Sequence, residues 1–153
     1  MSSPKQEDIA ALESIAQRKD IDMIPYNNIQ YALIEFISSS LLNNSQKNTE
    51  LNDSISTLVD ELLIQARAFL NNKISVQELA QLRIQTWKIY DTLEDNSAEK
   101  KMIRIVIITL YDEETAEFAT YGATLFLENI FTSLLDFGDG FCQKFVRYSR
   151  WYF

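Results

Sequence analysis

The stretch "IRIVIITLYDEETAEF", residues 103 to 118, decides the fold, because it sets an unbroken apolar run directly against a cluster of acids. Most of the residues from Met102 to Tyr111 are β-branched (Ile103, Ile105, Val106, Ile107, Ile108, Thr109), which locally favours a strand. A strand needs an edge to pair with. The only other plausible strand, 145 to 152, would give an isolated two-stranded ribbon, which is marginal in water. The competing assignment is a helix that is apolar all round its C-terminal half, and such a helix belongs at the buried centre of a bundle.

The flanking sequence favours the helix, because the helical period dominates the chain. Ser3, Pro4 and Gln6 supply an N-cap, a proline at the first helical position and a capping-box partner. Ile9, Leu12, Ile15 and Ala16 then form one apolar stripe, which predicts a helix over roughly 4 to 18. After the break "DIDMIP", Ile29, Leu33, Phe36, Ile37 and Leu41 define a second helix, closed by "NNSQKN" at 43 to 48. A third stripe runs from Leu51 through Ile55, Val59, Leu62 and Ala66 to Leu70. "SVQE" at 75 to 78 opens a fourth helix with Leu79, Leu82, Trp87 and Tyr90 inward, and Ser97 caps a fifth. A sixth is expected to start near Asp112 to Thr115 and to run to about Phe137, with Phe118, Tyr121, Gly122, Leu125, Phe126, Ile130 and Leu134 on its inner side. Gly138 is placed as its C-terminal cap. Phe141, Phe145, Tyr148 and Tyr152 fall at helical spacing and predict a short seventh helix docked on the others. The expectation is an all-α, single-domain bundle of six or seven helices over residues 1 to 153.

Composition narrows the function classes. The chain is 46% hydrophobic and 24% charged with three glycines and two prolines, which fits a folded domain with few breakers. At this length a proper core forms without staples. The first twenty residues hold no signal-type apolar core, and no apolar run approaches the ~18 residues of a membrane span, so a soluble cytoplasmic protein is expected. Cys142 stands alone and is read as a small buried apolar side chain. The sequence contains no histidine, which excludes Ser-His-Asp and Cys-His catalysis and every histidine metal site. A net charge of −8 argues against nucleic-acid and anionic-membrane binding and points to a positively charged partner.

The acids carry the only functional signal. From Ile105 to Gln143 there are Asp112, Glu113, Glu114, Glu117, Glu128, Asp136 and Asp139, and no lysine or arginine. Carboxylates at a helix N-terminus are stabilised by free backbone N–H groups and the macrodipole, so the first four have an ordinary structural explanation. Capping needs one or two, and four within six positions repel one another, so a partner-binding acidic face stands beside it. Asp91, Glu94 and Asp95 form a second acidic turn. A metal site is disfavoured, because the spacing matches neither an EF-hand nor a Glu-x-x-His di-iron motif, and no motif calls for a cofactor. In the tail, Lys144, Arg147 and Arg150 interleave with aromatic residues, the composition of a single-strand nucleic-acid platform, but the helical spacing of the rings favours packing.

One segment carries a resemblance. "LRIQTWKIYDTLEDNSAEKKMIRIVIITLYDEE", 82 to 114, has a helix ending in Trp and Tyr-Asp, a short polar turn, then "IR" leading an apolar helix that ends in "LY" before acids. It resembles a segment of small bacterial immunity proteins of contact-dependent growth inhibition and related polymorphic toxin systems, with Trp87, Asp91, Arg104, Leu110 and Tyr111 on the pattern. The resemblance implies a cytosolic, non-enzymatic protein that binds the C-terminal toxin domain of a cognate effector and covers its active site. Within that picture Trp87 is expected as a core anchor and Arg104 as the partner of an acid such as Asp91. Expected partner-binding residues are Asp91, Glu94, Asp95, Asp112, Glu113, Glu114 and Glu117, facing a basic protein, possibly a nuclease. The alternative is an acidic regulatory or phage-encoded inhibitor that mimics nucleic acid.

Overall fold

A computed structural model describes residues 3 to 42 and 51 to 153, and these residues are all-α with no strand among them. The helices are α1 (Pro4–Ala16), α2 (Tyr26–Phe36), α3 (Asp53–Leu70), α4 (Val76–Thr92), α5 (Ala98–Ile108), α6 (Phe118–Phe137) and α7 (Phe141–Ser149). A 3-10 turn, Ile21–Met23, precedes α2, and a π-helical turn, Ile37–Leu41, follows it. The expected polar closure at 43 to 48 lies outside the described residues. No helix among the described residues is long and apolar enough to cross a membrane.

The helix starts follow from the caps that the sequence announces. Ser3 Oγ accepts the Gln6 N–H while Gln6 Oε1 accepts the Ser3 N–H, and Ser75 and Glu78 make the same reciprocal pair. Asn52 Oδ1 accepts the Ile55 N–H at the head of α3, and Ser97 Oγ the Lys100 N–H at the head of α5. The β-branched run is helical. Met102, Ile103, Ile105, Val106, Ile107 and Ile108 are all buried, so burial of the whole circumference outweighs the modest intrinsic bias of isoleucine and valine against helix. Thr109 ends α5, its hydroxyl donating to the Val106 carbonyl at 2.6 Å.

The chain clusters into two compact units, one made of residues 1 to 33 with 113 to 153, the other of residues 34 to 112. In the first, α1 packs against α7, with Phe145, Cys142 and Ile15 buried and the Phe131 and Phe145 rings 6.0 Å apart. The tail aromatics thus pack as their spacing predicts, leaving Lys144, Arg147 and Arg150 exposed. In the second unit, α5 packs against α3 and α4, with Val59, Leu62, Leu63 and Leu79 in the core.

The sixth helix departs from expectation at its start and at two positions of its inner side. It begins at Phe118, because Glu113 and Glu114 close a turn in which their carbonyls accept the N–H groups of Phe118 (3.2 Å) and Glu117 (3.0 Å). Glu117 itself takes a left-handed conformation, φ +56°, that stops the helix from extending backwards. Gly122, at φ +79° and ψ 176°, then interrupts α6. Of the expected stripe, Phe126, Ile130 and Leu134 are buried as predicted, together with Ala123, Leu127 and Phe131, whereas Tyr121 and Leu125, on either side of the break, are exposed. Gly138 caps the helix as expected, its N–H donating to the Leu134 carbonyl.

Candidate partner-binding surface

Glu113, Glu114 and Glu117 lie together on the turn that leads into α6, and all three are exposed. Because α6 starts only at Phe118, no acid stands in its first turn, and the Glu117 side chain makes no capping hydrogen bond. Capping by a side-chain hydrogen bond therefore does not account for these carboxylates, and only the field of the α6 N-terminus, where Glu117 is the N-cap residue, acts on them. Among the described residues no lysine or arginine forms an ion pair with any of them. Three carboxylates held on a five-residue turn repel one another, and water screens that repulsion only in part. A cationic surface brought against them relieves it.

The turn is fixed by aromatic packing on its C-terminal side. Phe118 meets Tyr26 edge-on at 5.2 Å and Phe126 at 6.0 Å, and Tyr26 meets Phe126 at 5.1 Å. This three-ring cluster, with Tyr26 buried, anchors the end of the turn to the first unit's core and limits the backbone freedom of the preceding acids. A charged surface that is already ordered loses less entropy on binding.

Asp112 differs from expectation. It is buried, 6% exposed, and so takes no part in an exposed charged surface. Asp91, Glu94 and Asp95 lie at the α4 C-terminus and in the turn beyond it, in the second unit, and all three are exposed. Their charge is partly answered on the spot. Asp95 accepts a hydrogen bond from Lys100 Nζ at 2.7 Å, which holds the Asp95 carboxyl below the usual carboxylate range and raises the Lys100 ammonium. The same ammonium lies 4.7 Å from the Tyr90 ring centroid, and Asp91 reinforces its charge. Of the two acidic turns, 113 to 117 is the one whose charge is unanswered.

The residues of the resembling segment are arranged differently from expectation. Arg104 stacks its guanidinium over Trp87 at 5.3 Å and forms no ion pair with Asp91. Trp87 is half-buried, edge-on to Tyr90 at 5.3 Å, and is not a core anchor. Arg83 covers the Tyr111 ring at 4.6 Å and donates to the Leu110 carbonyl at 2.9 Å, closing the C-terminal end of α5. Cation–aromatic contacts between α4 and the α5 region thus replace the expected buried ion pair. Sequence periodicity missed a further feature, an open groove between α1 and α6 with Glu13 and Glu128 along it, because periodicity within one helix does not tell which helix packs beside it or how closely. Comparison with protein-family models, with curated proteins and with solved structures finds no match to this chain.

Proposed function

We propose that this chain is a non-enzymatic binding protein that neutralises a basic partner, in the manner of an immunity protein directed at one cognate toxin domain. The observation that carries this reading is the turn Glu113, Glu114 and Glu117, exposed, adjoining the Phe118 ring cluster, with no side-chain cap at the helix it precedes and paired with no cation among the described residues. The net charge of −8 adds a long-range field of the same sign, which speeds encounter with a positive surface. A nuclease toxin presents a positive substrate cleft, and acids seated in it exclude substrate phosphates by occupying their cationic contacts. Asp91 and Glu94 contribute to the field, whereas Asp95 is engaged with Lys100.

The reading predicts a toxin domain encoded immediately upstream of this gene, and the test is co-expression with it. The wild-type chain is expected to restore growth and to co-purify with the toxin domain. The Glu113→Lys/Glu114→Lys/Glu117→Lys variant, with unchanged helical content, is expected to do neither. Full protection by that variant contradicts the proposed surface, and failure of the wild-type chain to protect contradicts the function.

A further inference from the structure

Within the first unit, α1 and α6 leave between them an open groove of about 340 Å³. Its floor is apolar, made by Ile15, Ile21, Leu127 and Phe131, all buried. Glu13 on α1 and Glu128 on α6 line it from opposite helices, both exposed, and no lysine or arginine is among the lining residues. A third carboxylate, Asp22, follows Ile21 in the chain, with Oδ1 3.6 Å from the position a Cβ on Gly122 would take. The exposed apolar surface continues beyond the groove. Ile9, three residues before Leu12 on α1, is 47% exposed, and Leu125, three before Glu128 on α6, is 40% exposed.

Shape and charge together define the occupant. The lining on α6 extends from Thr124 to Leu135, about 16 Å at 1.5 Å per residue or roughly three helical turns, a run long enough for a short helix to lie along it. An apolar strip flanked on both sides by carboxylates, with no cation in the lining, repels an anionic occupant and attracts one that carries positive charge along both edges of an apolar face. A helix with such a face fits by helix-in-groove recognition, with residues at i, i+3, i+4 and i+7 on the floor. We propose that this groove seats a cationic amphipathic helix of the partner protein, its lysines or arginines meeting Glu13 and Glu128. The inference rests on the reading that the partner is basic, and it adds a second contact of a different kind from the acidic turn.

The probe is a fluorescein-labelled helical peptide of about 15 residues with a leucine face flanked by lysines, titrated with the full chain and followed by anisotropy. The same peptide with glutamates in place of the lysines serves as control. The lysine peptide is expected to bind saturably and the glutamate peptide not to bind. Ala16→Trp, which fills the groove from an exposed position, is expected to weaken binding at least about tenfold. The pair Glu13→Gln/Glu128→Gln is expected to weaken it about threefold to tenfold at low salt, with the difference vanishing near about 1 M salt. No saturable binding, or binding that Ala16→Trp leaves unchanged, overturns the proposal. So does a homodimer in sedimentation that Ala16→Trp dissociates, since the groove then seats a second copy. The groove and the function fail separately. Peptide binding lost only through lysines at 113, 114 and 117 sinks the groove, whereas peptide binding as expected without toxin protection sinks the function.

Discussion

Asp8 shows how far a single carboxylate can reach in this fold. It is fully buried on α1, yet its two oxygens accept the N–H groups of Gly140 (2.6 Å) and Gln143 (2.9 Å) at the start of α7. α7 has no side-chain cap of its own, so a residue more than a hundred positions earlier supplies one. Asp8→Ala leaves those donors unsatisfied and is expected to cost about 1–3 kcal/mol, read as a lower urea midpoint with an unchanged slope. A midpoint equal to wild type would mean that water replaces the carboxylate. Within that same first turn of α7, burial and then the Asp8 charge push the Cys142 thiol from 9.0 up to about 12. The native protein therefore keeps the thiol proton across a window in which the unfolded chain releases it. The resulting stability is fully present below pH 9, is drawn down as pH rises and is gone above about 12. Cys142→Ala is expected to flatten that alkaline decline in denaturation midpoints. At pH 8 a thiol reagent is expected to label the wild-type protein only as it unfolds.

At the scale of elements, Gly122 matters most. Its φ of +79° with ψ near 180° belongs to a region open essentially to glycine alone, and it breaks α6 between Tyr121 and Ala123. Gly122→Ala is expected to destabilise by about 1–3 kcal/mol in urea titration, and a neutral effect would show that α6 can straighten without loss. The break was not legible in the sequence, because a glycine within a helical stripe gives no sign whether it continues the helix or interrupts it. By contrast, the capping residues Ser3, Ser75 and Ser97 were legible, since a cap is a local hydrogen bond between near neighbours. The run 103 to 108 stood between these cases. Its β-branched residues favour a strand, and only burial on every side of α5, a property of the tertiary structure, makes it a helix.

For the whole molecule, the sequence made the surplus of acid legible but not its distribution. Composition counts Asp112 and Glu113 alike, whereas one is buried and the other exposed. It also counts Asp95 with Glu117, although Lys100 engages the first and no cation pairs with the second among the described residues. These differences remove Asp112 and Asp95 from the seven candidate positions, and of the five that remain Glu113, Glu114 and Glu117 share a single turn with no paired cation among the described residues. They also bear on the nature of the partner, because an unpaired acidic turn contributes to binding mainly through electrostatics, which salt weakens. The most direct measurement is therefore the dissociation constant for the proposed toxin-domain partner, by titration calorimetry across a salt series. Compared with wild type, Glu113→Lys/Glu114→Lys/Glu117→Lys is expected to bind at least about tenfold more weakly at low salt and to show a shallower dependence on salt. An affinity and a salt slope equal to wild type would contradict the central claim that this turn is the surface that recognises the partner.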